Sequence, residues 1–175
     1  MILGSLMDVG LEVELLRREL SKLHFSNYSI DVIKTTKRGL SGSQAMVSIH
    51  HEAGHEHSRR LSDIREIILD SDLSETIKAQ GLRIFQKLAE AEAKVHNVSV
   101  DEVHFHEVGA VDSIIDIVGA SICYHAIKPD KIICSPLNVG KGTIKCSHGI
   151  LPVPAPATAE LLQKCDAIIY TNEVS

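Results

Sequence analysis

Two histidines, a glutamate and two aspartates crowd into one short tract, His104-Phe105-His106-Glu107-Val108-Gly109-Ala110-Val111-Asp112-Ser113-Ile114-Ile115-Asp116. Neutral imidazole is the commonest metal ligand, and carboxylates complete mixed nitrogen–oxygen ligand sets. If residues 103–107 are extended, His104 and His106 project from one face, because strand side chains repeat every two residues. Glu107 adds a carboxylate, and Gly109 permits a tight bend into a helix running from about 110 to 127. On that helix Val111, Ile114, Ile115, Val118 and Ile122 form an apolar stripe, with Asp112 and Asp116 beside it, one turn apart. Like charges at this spacing repel by roughly 0.2–0.5 kcal/mol. Bringing both to the edge of a core costs more unless a cation, a lysine or arginine, or a proton compensates. A cation held this way would be nickel, zinc, iron or manganese rather than magnesium or calcium. The plainer alternative is a pair of solvated histidines and a helix with two surface aspartates.

Two further tracts carry chemistry. His50, His51, His55 and His57 fall in a polar loop that could sequester metal weakly as an auxiliary site, or simply be solvated. Farther on, Gly140 and Gly142 could bring backbone amides close to an anion, and a short helix after Pro156, carrying Thr158, presents an N-terminus suited to one. His148 is either a further ligand or a loop donor. This is not a Walker loop, and taken singly Gly140 and Gly142 read as a hairpin turn.

The elements that must hold these residues follow from periodicity. Ile2, Leu3, Leu6 and Met7 share a helical face that Gly10 ends, and Val13, Leu16, Leu20 and Leu23 make a second helix. Residues 28–37 and the alternation of Ala45, Val47 and Ile49 read as an antiparallel hairpin around a turn at 39–43. Ser62 with Asp63 opens a helix that stops near Asp70. A longer helix from Ser74 to about His96 carries Ile77, Ile84, Leu88, Ala91 and Val95 on its apolar stripe. Ser99 and Glu102 have capping-box spacing. Residues 131–139 and 142–147 suit two strands around Gly140-Lys141-Gly142, Pro156 starts a helix to Gln163, and 167–170 reads as a last strand. The fold class expected is α/β: a mixed sheet with an antiparallel hairpin and several packed helices, not a doubly wound βαβ repeat.

Composition narrows the function further. The chain has 175 residues, 44% of them hydrophobic, but only 3% aromatic, so the core is aliphatic. A net charge of -5 with so few rings argues against nucleic-acid binding. No apolar run approaches a membrane span, and no signal peptide is visible. The four cysteines form no C-x-x-C pair, which fits free thiols in a reducing, cytoplasmic setting.

The run from Val103 to Ala120 resembles the signature of the LarC family of nickel insertion proteins. So do Leu61-Ser62-Asp63-Ile64-Arg65, Leu88-Ala89-Glu90-Ala91-Glu92-Ala93-Lys94-Val95-His96, Cys134-Ser135-Pro136-Leu137 and the run from His148 to Thr158. The motifs come in the family's order across nearly the whole chain. The resemblance implies nickel insertion into pyridinium bisthiocarboxylic acid mononucleotide, which makes the nickel-pincer cofactor of lactate racemase. It implies a CTP-dependent insertase of the lyase class, with manganese or magnesium accompanying CTP. It also makes His104, His106, Glu107, Asp112 and Asp116 the expected nickel-binding residues, with His148 a further ligand. A noncatalytic module that stores or delivers nickel is the alternative. Family members normally begin with a strand and a Phe-Asp-Cys-Phe-Ser-Gly-Ile-Ser-Gly-Asp segment, and their C-terminal, CTP-associated portion lies beyond Ser175. The expectation is therefore an N-terminal domain truncated at both ends, with a His-rich loop at 50–60. It would be inactive alone and partnered by the C-terminal part of the same protein; homo-oligomerisation stays open.

Overall fold

A computed structural model of the chain describes residues 2–25, 28–50, 59–105, 110–146 and 149–172. These residues form two compact units, one spanning 1–85 and 104–129, the other 86–103 and 130–175.

The first unit grows from amphipathic helices and one hairpin. Helices α1 (Ile2–Asp8) and α2 (Val13–Leu20) come as expected, with Leu23 kept on the apolar face by a 3-10 turn, Ser21–Leu23. Strands β1 (Tyr28–Lys37) and β2 (Leu40–Ile49) pair antiparallel, Lys37 opposite Leu40. The turn is therefore Arg38-Gly39 alone, not 39–43. Both residues take positive φ, 52° and 82°, the backbone that matches strand twist in a two-residue hairpin loop. Ser41 to Ser43 are strand residues. A two-residue strand β3 (Arg59–Arg60) precedes α3 (Leu61–Leu69), and α4 (Glu75–His96) follows. Strand β4 (His104–Phe105) pairs antiparallel with β3, and α5 (Val111–Ile127) completes the unit.

Helix α5 is the hub of this unit. Its residues Ile114, Ile115, Val118, Ile122 and Cys123 are buried, as are Leu16, Leu20, Ile64, Ile68 and Phe85. Gly119 lets α1 and α2 approach: a side-chain carbon there would lie 3.1 Å from Leu3 Cδ2 and 3.5 Å from Leu16 Cδ1. The stripe of α4 differs from the expected one. Ile77, Gly81, Phe85 and Ala89 face inward, Ile84 and Leu88 are half-buried, and Val95 is exposed. Glycine and alanine carry little hydrophobic signal, yet they define where helices can come closest. The start of α3 also moves by two residues. Arg60, not Ser62, precedes the helix, and its backbone N–H donates to the Asp63 carboxylate at 2.8 Å.

Two polar clasps hold α1 and α2 to the hairpin. Arg17 donates through Nε and Nη2 to the Ile30 carbonyl, at 3.0 and 2.7 Å. Asp8 accepts the Ser43 backbone N–H and hydroxyl, both at 2.7 Å, and pairs with Lys34. These donors, Lys34 foremost, hold the Asp8 pKa at about 2, down from 3.8. A carboxylate depressed in the folded state stabilises above its unfolded pKa, and that contribution fades as pH falls toward the folded value. Asp8→Asn should therefore flatten the loss of thermal stability between pH 3.8 and about 2 while lowering the melting temperature at neutral pH. Melting curves recorded by circular dichroism across that range test it, and parallel acid limbs for the two proteins would refute it.

The second unit contains the end of α4, a 3-10 turn at Val100–Glu102, β5 (Leu137–Asn138), β6 (Thr143–Cys146), β7 (Gly149–Pro152), α6 (Pro156–Gln163) and β8 (Ile169–Tyr170). The capping box is present, with the Ser99 N–H and hydroxyl both donating to Glu102 Oε2, at 3.1 and 2.7 Å. Pairing of the strands departs from expectation. Residues 131–136 are irregular, β6 pairs antiparallel with β7, and β5 pairs parallel with β8. Gly140 and Gly142, at φ 72° and 93°, shape the link from β5 to β6 instead of closing a hairpin. Glu160 on α6 is buried and held ionised by Lys94 at 2.6 Å and Lys164 at 3.4 Å, Lys94 chiefly keeping its pKa below the usual carboxylate range.

The chain thus has the mixed α/β character read from its sequence, its strands divided among four pairs in the described residues, three antiparallel and one parallel. Among those residues no helix is long and apolar enough to cross a membrane.

Candidate metal centre

His104, Asp112 and Asp116 all belong to the first unit. Alternation on β4 turns Phe105 into the core, edge-on to Phe85 with ring centroids 6.3 Å apart, and leaves His104 exposed. Pairing with β3 brings Arg60 alongside, and Arg60 Nε donates to His104 Nε2 at 3.3 Å. Guanidinium can only donate, so Nε2 is the acceptor and the ring proton sits on Nδ1. Taking a metal through Nε2 means exchanging Arg60 for the ion. The sequence signal for Arg60 is its place just before a helix-opening Leu-Ser-Asp.

Asp112 stands in the first turn of α5, where the helix dipole favours an anion. Its Oδ1 accepts the Ser113 backbone N–H at 2.7 Å. Asp116 lies one turn on. Its side chain keeps solvent contact, yet partial desolvation raises its pKa above 3.8; the chain's N-terminal charge opposes that rise and the Asp112 charge adds to it. Among the described residues no lysine or arginine pairs with either aspartate. Of the three compensations open from sequence, no lysine or arginine is supplied among the described residues, and the N-terminal charge offsets only part of the Asp116 shift, its pKa staying raised. Cys123 lies farther along α5 and is buried, which pushes its thiol up to about 11.

The other expected site residues belong to other elements. His50 follows β2, with Nε2 3.0 Å from Ser29 Oγ. Gly140, Gly142 and Thr158, the last exposed in the first turn of α6, belong to the second unit. His106, Glu107, His148, His51, His55 and His57 lie outside the described residues. Among the described ones, no three His, Cys, Asp or Glu side chains gather as a metal site.

Beside this geometry stand the chain's relatives. The family model described as nickel insertion protein matches residues 1–175, and the chain belongs to that family. A protein of Acetivibrio thermocellus named pyridinium-3,5-bisthiocarboxylic acid mononucleotide nickel insertion protein is 44% identical over 181 aligned residues, covering 100% of this chain and 44% of that protein. The like-named protein of Desulfitobacterium hafniense is 48% identical over 174 residues, covering 99% and 42%. That of Akkermansia muciniphila is 47% identical over 168 residues, covering 92% and 41%. The chain therefore spans less than half the length of these curated relatives. No solved structure matches it.

Proposed function

We propose that this chain carries the nickel-holding part of an enzyme that inserts nickel into pyridinium-3,5-bisthiocarboxylic acid mononucleotide. The observation that carries the reading is the pair Asp112 and Asp116 on α5, which no lysine or arginine among the described residues pairs with, in a chain of the nickel insertion family. Nickel supplies the missing positive charge, and His104, His106 and Glu107 complete its mixed ligand set, with His148 a further candidate. His50, His51, His55 and His57 serve as a weaker auxiliary loop. The mononucleotide's phosphate is assigned to the Gly140–Gly142 link and the first turn of α6 at Thr158, a helix start with no side-chain cap.

The finer reading follows the family resemblance. The product is the nickel-pincer cofactor of lactate racemase, and insertion consumes CTP with manganese or magnesium, bound mostly outside this chain. The activity is of the lyase class, requires the rest of the family polypeptide and is cytoplasmic. The four free cysteines fit a reducing compartment.

Calorimetric titration with nickel tests the ligand set. Deleting residues 51–57 should remove weak stoichiometry and leave one tight site, whereas a storage module would lose its main capacity. The double variant His106→Ala, Asp112→Ala should lose the tight site. Unchanged affinity and stoichiometry in that variant would sink the proposal. Because ligating imidazole must be neutral, the tight site should also weaken below about pH 6.

A further inference from the structure

The second unit exposes an apolar surface that its own fold does not use. Strands β5 and β8 form a parallel pair, Leu137 opposite Ile169 and Asn138 opposite Tyr170. Opposed residues share a face, so Leu137 and Ile169 lie on one side of the pair and Tyr170 on the other. Leu137 is 38% exposed, Ile169 47% and Tyr170 46%, so apolar area stays open on both faces. Ile168 beside them is 71% exposed, and Ile132 and Ile133, in the irregular approach to β5, reach 68% and 82%. Parallel strands occur almost only where both faces are buried, and a two-stranded pair falls below the size that is stable by itself. The pair is nonetheless well made. Leu137 and Val139 donate to the carbonyls of Ile168 and Tyr170 at 2.8 and 3.0 Å, and Asn138 Oδ1 accepts from the Asn172 N–H at 3.2 Å. An ordered parallel pair with apolar side chains on both faces is the interior of a larger sheet.

We infer that this surface is the seat of polypeptide that the longer family members carry outside the segment matched here, which completes the sheet around β5 and β8. The occupant is argued from length. The chain covers only 44% of the Acetivibrio thermocellus relative and 42% of the Desulfitobacterium hafniense one, so those proteins have more than enough additional chain to cover both faces. Exposed apolar area of this kind marks a protein interface. The inference stands on family membership and strand geometry, and does not depend on where nickel binds.

Hydrogen exchange read by mass spectrometry, on this chain and on the full-length Acetivibrio thermocellus protein, tests it. Amides aligned with 132–139 and 168–170 should exchange about tenfold or more slowly in the full-length protein, with those of α5 changed little. Replacing the residues aligned with Ile133 and Ile168 by Asp in the full-length protein should abolish that protection. These side chains are so exposed in this chain that Ile133→Asp should leave its melting temperature unchanged. Equal exchange in the two proteins overturns the inference. So does sedimentation of this chain as a dimer with 132–139 and 168–170 already protected, which would make a second copy the occupant.

Discussion

Asp116→Asn should weaken nickel binding by about 100-fold while leaving the metal-free protein as stable as before or slightly more so. The two effects have opposite signs for one reason. Without metal, the Asp116 carboxylate is partly desolvated and faces Asp112, so the fold disfavours its charge and its pKa rises above 3.8. A carboxyl whose pKa is raised on folding binds protons more readily folded than unfolded, so its ionisation detracts from stability as pH rises past the ordinary carboxylate range. Asparagine keeps the shape and removes that charge. With nickel present the same charge is what the ion needs, and loss of a supporting group at a metal site typically costs 10- to 100-fold in affinity. At nickel a hundredfold above the wild-type dissociation constant, ligand-linked stabilisation of about 2.7 kcal/mol should fall to about 0.4 kcal/mol in the variant. Thermal melts with and without nickel measure both quantities. Two surface aspartates on a solvated helix would give identical nickel shifts in the two proteins, and that result would remove α5 from the site.

Legibility in the sequence followed locality. The face of α5 was readable because Ile114, Ile115, Val118 and Ile122 repeat at helical spacing and Asp112 and Asp116 sit beside them. The hairpin and the capping box at Ser99 were readable for the same reason, since each is written within a few residues. Pairings between distant segments were not. Residues 142–147 contain a strand, but its partner is β7, and β5 instead finds β8 across the intervening helix α6. Two short alternating runs beside a glycine pair look like a hairpin whichever partner wins. The hairpin turn at Arg38 was hidden because a non-glycine residue adopts the left-handed backbone there. At the candidate site, the carboxylate pair was visible, whereas the Arg60–His104 contact arises only when β3 meets β4. The stripe of α4 was misplaced because Gly81 and Ala89 matter through their smallness, and periodicity counts only bulk.

That stripe governs the second large effect. Phe85→Ala should destabilise the protein by about 3–5 kcal/mol, the usual cost of removing a fully buried ring. Phe85 is 0% exposed and meets Phe105 edge-on, an arrangement that adds to the burial. Gly81, one turn earlier, faces α5, where a side-chain carbon would make ordinary contact with Val118 Cγ2 at 3.7 Å. The space left by the ring therefore borders helices whose packing is fixed from the other side, and it will not collapse fully. For a chain of this length the melting temperature should drop by roughly 6–20 °C. Phe85→Leu should recover most of it, because the larger part of the cost is lost volume. The consequence for function runs through β4. Phe105 anchors the strand that carries His104, so losing its partner ring frees that strand to shift against β3 and loosens one end of the proposed ligand set. Nickel affinity measured well below the new melting temperature should fall several-fold in Phe85→Ala and stay near wild type in Phe85→Leu. If affinity instead stays unchanged in the alanine variant while stability falls as expected, β4 does not position the metal, and the ligands must be sought on α5 and beyond it.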